Sequence, residues 1–314
     1  MNHLTPAVLD VFERQHGIAT AATLHEAGIS AHGLRTLVSC GTLRPILRGA
    51  YRLPAVPFTA EARCAAVCAA HPEVAVAGPT AGRLWGLRRL PRDHRIHVLA
   101  PPASHPSIAR WVVPYRTQAF RPVDVERRPD GIAITSRART ALDLARHLPP
   151  SDLLSVIEQV MHDGRLSDAD MREVALEWLS PQRPWLRRYL RTLDRRLGGG
   201  AAESHHETAL GDALAAAGIR GLVRQHWIDL PGYGPARFDL AIPRLRWAIE
   251  IDVFPTHQET AGRLRDAERD RAALAIDWRV DRVGEDDLGP RQADTVVRLQ
   301  DIARRRRTEV QHDR

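Results

Sequence analysis

The stretch from Arg237 to His257, RFDLAIPRLRWAIEIDVFPTH, constrains the fold most, because three acids fall on the polar positions of two otherwise apolar strand-like runs. In the first run Phe238, Leu240 and Ile242 alternate with Arg237, Asp239 and Ala241, so Asp239 faces away from the apolar side. In the second, Ile249 and Ile251 share one face, and Glu250 and Asp252 the other. The Pro-Arg-Leu-Arg link between them is hairpin-like, and cross-strand pairing would bring Asp239 near Glu250. Half-buried carboxylates repel one another, so a cluster of them needs a cation or a shared proton. Oxygen-only ligands favour Mg²⁺ or Mn²⁺ over zinc.

The flanking sequence adds to this pattern. Upstream lie Ser204-His-His-Glu207, then Leu210, Leu214 and a glycine stop at Gly218; Glu207, Leu210, Leu214 and Ala217 fall on one helical face. Downstream come Asp266, Arg269, Leu274, Trp278-Arg279-Val280 and Arg282. From Glu203 to Leu288 the chain resembles the PD-(D/E)XK nuclease superfamily, in its branch like the very-short-patch-repair endonuclease. That resemblance implies a restriction-endonuclease-like α/β domain and metal-dependent phosphodiester hydrolysis. In it Asp239 and Glu250 hold Mg²⁺ (or Mn²⁺), Asp252 supports the metal or its water, Glu207 lies in the outer shell and His257 helps proton transfer. The chain departs from the family at three points. Val253 follows Asp252 where glycine is usual, Asp277 stands where glycine precedes Trp278, and Asp252 takes the place of the frequent lysine. Arg237, Arg269 and Arg282 would grip the backbone or form ion pairs with the same acids.

A length of 314 residues at 44% hydrophobic suffices for two or three domains with proper cores. No run is long enough to span a bilayer, and residues 1–12 lack the basic start and apolar stretch of a secretory signal, which gives a cytoplasmic address. Cys40, Cys64 and Cys68 are odd in number and read as reduced, small apolar residues. A formal charge of +7, carried on the basic side by arginine alone, points to a polyanion such as nucleic acid; arginine-only usage also follows from genomic base composition. His205 and His206 read as a solvated helix start rather than a zinc site, and Glu285-Asp-Asp287 as the cap after the last core strand.

The first sixty residues predict a helix over Pro6–His16 stopped by Gly17, a second over Ala21–Ala27 ended by Gly28, and a third over Ala31–Cys40 capped by Ser30. The third buries Ala31, Leu34, Leu37 and Val38 and turns His32, Arg35, Thr36 and Ser39 outward. Thr42–Leu53 reads as two short strands around Gly49, the wing of a winged helix, with Arg44 and Arg48 placed to reach phosphates. Ile18-Ala-Thr20, Leu24, Gly28-Ile-Ser30, Gly41-Thr-Leu43 and Arg48-Gly-Ala-Tyr51 resemble the antitoxin-type winged helix of abortive-infection bicistronic systems. Gly78–Gly86, Ile96-His-Val98 and Gly131–Leu144 continue that resemblance. It implies DNA binding, repression of the protein's own operon and a toxin or second-protein partner.

The expected architecture is a multidomain α+β chain: a winged helix at 1–56, an α+β and helical spacer at 57–197, and a nuclease-like α/β domain at 198–314 led in by Gly198-Gly-Gly200. The expected function is that of a DNA-associated protein with a metal-dependent endonuclease domain. Its rival is a non-enzymatic, antitoxin-like transcriptional regulator with an inactive nuclease fold.

Overall fold

The computed structural model describes residues 4–102, 109–118, 121–176, 184–196, 198–199, 204–252, 260–288 and 291–312. The chain is a mixed α/β protein with three sheets and twelve α-helices among the described residues. It divides into two compact units, residues 1–148 with 169–187, and residues 149–168 with 188–314.

The first unit begins with α1 (Pro6–Arg14), β1 (Ile18–Thr20), α2 (Ala21–Glu26), α3 (Ala31–Ser39), β2 (Arg44–Leu47) and β3 (Ala50–Arg52). Side-chain caps start each helix: Thr5 Oγ1 accepts from Val8 N, Thr20 and Thr23 form a reciprocal box, and Ser30 Oγ accepts from Gly33 N at 3.0 Å. The strands form an antiparallel sheet in the order β1-β3-β2, with Arg48 and Gly49 between β2 and β3. Val8, Phe12, Ala19, Leu24, Leu34, Leu37 and Leu43 fill its core. Two local expectations are corrected. α1 stops at Arg14 rather than His16, because His16 turns to a left-handed φ of 52° and the Gly17 N–H closes the helix end on Phe12 O at 2.7 Å; His16 Nε2 also meets Asp130 Oδ2 at 3.0 Å. On α3 Ala31, expected in the buried stripe, is exposed and Gly33 is buried instead, while Val38 is half-buried.

Then follow α4 (Ala60–Ala70), β4 (Ala75–Val76), α5 (Gly78–Leu84), β5 (Ile96–Ala100), β6 (Val112–Arg116), β7 (Val125–Arg127), β8 (Ala133–Thr135) and α6 (Arg137–Leu144). The five strands form a mixed sheet in the order β6-β5-β4-β8-β7. Ala66, Val76, Val98, Ile132 and Ile134 are wholly buried in its core. Ser136 caps α6, and Arg139, wholly buried, pairs with Asp124 at 3.2 Å and Asp143 at 3.3 Å. Cys64 and Cys68 are buried on α4, and burial raises both thiol pKa values, in keeping with small apolar residues. Cys40 is instead exposed, just past α3.

The helices α7 (Pro150–Gly164), α8 (Asp168–Leu176) and α9 (Pro184–Asp194) come next. The second unit contains α7 and continues with β9 (Gly198–Gly199), α10 (His205–Ala216), β10 (Val223–Leu230), β11 (Gly234–Ile242), β12 (Trp247–Asp252), α11 (Thr260–Ala275), β13 (Arg279–Gly284) and α12 (Gln292–His312). Its sheet runs β13-β12-β11-β10-β9. The β10-β11-β12 meander is antiparallel, and β9 and β13 join it in parallel at its two edges. One core joins Leu210 and Leu214 of α10 to Leu240, Ile242, Trp247 and Ile249 of the sheet and to Leu299, Ile302 and Ala303 of α12. A second joins Phe238, Ala248 and Trp278 to Ala273 of α11. Glu158 of α7 ties that helix to β10, accepting from Arg224 Nη1 at 2.6 Å; both side chains are wholly buried. No described helix is long and apolar enough to cross a membrane.

Candidate functional site

Two regions gather the side chains singled out in the sequence, one in each unit. In the first, α3 turns His32, Arg35, Thr36 and Ser39 to solvent while Leu34 and Leu37 hold it against α1 and α2. Thr36 and Ser39 each donate their hydroxyl back to the helix, to His32 O at 3.1 Å and Thr36 O at 2.9 Å. Arg44 at the start of β2 and Arg48 at the hairpin tip are exposed. A helix that offers polar side chains on one face, beside a basic two-stranded wing, is the geometry with which a winged helix enters a major groove and grips flanking phosphates.

In the second unit the β11–β12 pairing sets Leu240 against Ile249, and the same register places Asp239 and Glu250 at facing positions one step further. Asp239 Oδ2 accepts the backbone N–H of Ile251 at 2.9 Å, and its Oδ1 accepts from Gln225 Nε2 at 3.3 Å. The same Gln225 amide donates to Glu207 Oε2 at 2.7 Å, which turns the buried Glu207 of α10 toward the sheet. Gln225 occupies a left-handed backbone position, φ 49°, in the middle of β10. That conformation is costly for a non-glycine residue and clusters at sites where a side chain must be aimed. Gln225 is the member of this network that periodicity misses; the only signal for it is a polar residue inside a strand-like run.

Glu250 lies half-buried beside Arg269 of α11, with Oε1 3.4 Å from Nη1. That oxygen is buried and accepts no hydrogen bond. Burial pushes the Glu250 carboxyl up to about 7, Arg269 opposes the shift, and the nearby Asp239 adds to it. Asp252 is exposed at the end of β12. His257 and Val253 lie outside the described residues. Of the three arginines, Arg269 faces Glu250, Arg282 pairs with Asp270 at 2.9 Å, and Arg237 stacks its guanidinium 5.9 Å from the Trp227 ring centre.

His205 Nδ1 meets Ser155 Oγ at 2.9 Å at the start of α10. Asp287 caps the turn after β13 by accepting from Gly284 N at 3.2 Å.

The carboxylates can be tested as a cation site on the atoms they offer. Asp239 and Glu250 supply hard oxygens at facing positions, and the unbonded Glu250 Oε1 is the atom a cation would satisfy. Both Asp239 oxygens already accept hydrogen bonds, and among the described residues no group of three or more acids, histidines or cysteines converges. The described part therefore fits two ligands of such a site.

Comparison with curated proteins gives no match. Among solved structures, the crystal structure of the RV2827C protein from Mycobacterium tuberculosis is similar at 19% identity, over 60% of this chain and 75% of that one, with a TM-score of 0.41. Residues 6–54 match the profile of the family described as transcriptional regulator, AbiEi antitoxin. An antitoxin-type transcriptional-regulator domain therefore occupies the part of the chain that folds into the three-helix unit and its hairpin.

Proposed function

We propose that the protein is a DNA-binding transcriptional regulator of the antitoxin type, whose α3 reads the major groove and whose β2–β3 hairpin grips the flanking backbone. The observation that carries this reading is the regulator family match over residues 6–54, on a fold whose exposed face holds His32, Arg35, Thr36, Ser39, Arg44 and Arg48. The antitoxin family also supports a toxin as a second-protein partner. The test is fluorescence anisotropy on a duplex from the region upstream of the protein's own gene, against a scrambled duplex. Arg35→Ala is expected to cost about 1–3 kcal/mol on the upstream duplex and to erase the preference for it. Arg44→Ala and Arg48→Ala should weaken both duplexes alike and lower the salt slope by about 1 each. Equal binding of both duplexes, unchanged by Arg35→Ala, would refute the reading.

The facing pair Asp239 and Glu250 supports a second reading, in which the C-terminal unit is a restriction-endonuclease-like domain that hydrolyses phosphodiesters with Mg²⁺ or Mn²⁺. The order α10, β10–β12, α11, β13 agrees with the helices and strands this resemblance implies. Asp239 and Glu250 would hold the ion, with Asp252 at the strand end, and His257 would carry a proton. The ion would supply charge neutralisation and water activation at the phosphate. Gln225 would fix the carboxylates of Glu207 and Asp239. Calorimetric titration of Mg²⁺ and Mn²⁺ into wild type and Glu250→Gln, followed by supercoiled DNA, tests it. Metal binding and nicking confined to the wild type support the enzyme, and no binding by either leaves the regulator alone.

A further inference from the structure

The turn between β11 and β12, Pro243–Arg246, faces the loop between α10 and β10 and the last turns of α12. Between them lies an open cleft of about 510 Å³ lined by Arg220, Arg244 and Arg307 with Gly218, Leu245, Val310 and Gln311, and by no acid among the described residues. All three arginines are exposed, and none forms an ion pair with a described residue. General arginine richness does not account for this. A neighbouring cleft between β13 and α12 alternates Arg279, Arg298 and Arg305 with Asp281, Asp294 and Asp301. Beside the three arginines, Arg246 and Arg306 both meet Asp277.

The cleft is also held in shape. Arg306, nearly buried, donates to Leu245 O at 3.2 Å and Asp277 O at 2.7 Å, which pins α12 to the turn. Arg244 donates to Arg220 O at 3.1 Å and lies across Gly221. A Cβ at Gly221 would sit 3.3 Å from Arg244 Nε, and its φ of 78° favours glycine, so a side chain here would crowd the guanidinium. Three exposed guanidinium forks around one cleft, none in an ion pair with a described residue and one held by the loop it crosses, match phosphate oxygens.

We propose that this cleft is a second nucleic-acid contact, which grips backbone phosphates without reading sequence. It goes beyond the winged-helix reading, because it lies on other residues and makes its own contribution to the salt dependence. The test is anisotropy of the full chain on a labelled random-sequence duplex across a chloride series. The variants are Arg220→Gln/Arg244→Gln/Arg307→Gln, the matching triple lysine variant, and a charge-matched control, Arg271→Gln/Arg298→Gln/Arg304→Gln, outside the cleft. Each phosphate contact adds roughly 0.9 to the slope of log K against log salt, so the cleft variant is expected to lose about 2–3 from it. The lysine variant should recover the slope, which separates lost charge from lost fold, and the control should keep it. The same loss is expected in a chain carrying Arg35→Ala and Arg44→Ala, so failure of either reading leaves the other measurable. An unchanged slope in the cleft variant, an equal loss in the control, or no recovery with lysine would overturn the proposal.

Discussion

Glu158 and Arg224 form one buried ion pair, yet replacing them is expected to have very different costs. Arg224 Nη1 donates to Glu158 Oε1 at 2.6 Å, and the same carboxylate accepts from Arg196 Nε at 2.9 Å and Nη2 at 3.3 Å. Removing one partner of a buried pair costs about 3–5 kcal/mol, because the charge left behind is uncompensated. Glu158→Leu leaves two guanidinium groups, one of them wholly buried, and belongs near the top of that range. Arg224→Met leaves Glu158 held by Arg196. It also removes Arg224 Nε and Nη2, buried donors that make no hydrogen bond and whose desolvation costs about 1–3 kcal/mol each. Burial already holds the Arg224 guanidinium pKa below its ordinary value, which points the same way. Arg224→Met should therefore fall within about 1 kcal/mol of wild type, and the double variant should recover most of the loss of Glu158→Leu. Urea denaturation gives the energies. Hydrogen exchange of peptides from α7 and β10 locates them, since a chain of two units need not unfold in one step. An Arg224→Met cost equal to that of Glu158→Leu, or a double variant that costs their sum, would refute the hub role of Glu158.

Glu250 titrates from about 7 in the folded chain against an ordinary 4.5, so the native state keeps a proton that the unfolded chain has lost. Stability should fall as pH rises through that window and level off above it; melting temperatures across a pH series, wild type minus Glu250→Gln, isolate this term. Gln225→Leu removes the amide that joins Glu207 to Asp239 and is expected to cost about 1–3 kcal/mol, read as a lower urea midpoint at unchanged slope. Gly17→Ala meets a left-handed φ of 78° and would place a Cβ 2.7 Å from Val56. It should cost more than the roughly 1–2 kcal/mol of the backbone alone, and Val56→Gly in the same chain should return only the excess, as thermal unfolding would show.

What the sequence made legible follows from how far apart the deciding residues lie. The N-terminal three-helix unit is written in adjacent residues: Thr5, Thr20 and Ser30 each cap the turn that follows, so three helices and a hairpin emerge from local rules. α1 ends two residues before the place its glycine stop suggests because His16 itself takes the left-handed position and Gly17 N–H closes on Phe12 O; only the meeting of His16 with Asp130, 114 residues away, lies beyond local rules. The facing of Asp239 and Glu250 was legible for the same reason as the caps, since strand alternation and a short link fix it. Their environment was not legible: Arg269 and Gln225 approach from a separate helix and strand. The tie of α7 to β10 was hidden likewise, in one charge pair 66 residues apart. Asp277 shows how one backbone position is tied to distant charges. Its φ of 63° is one that glycine adopts at least cost. Aspartate is among the few residues that tolerate this conformation, and here its carboxylate meets Arg246 and Arg306, each at 3.4 Å, while Arg306 binds its carbonyl at 2.7 Å. The strain that glycine would have avoided is thus offset by the arginines that close the turn beside the arginine cleft. A change in one backbone rule is therefore tied to a charge arrangement that no window of sequence around Asp277 contains.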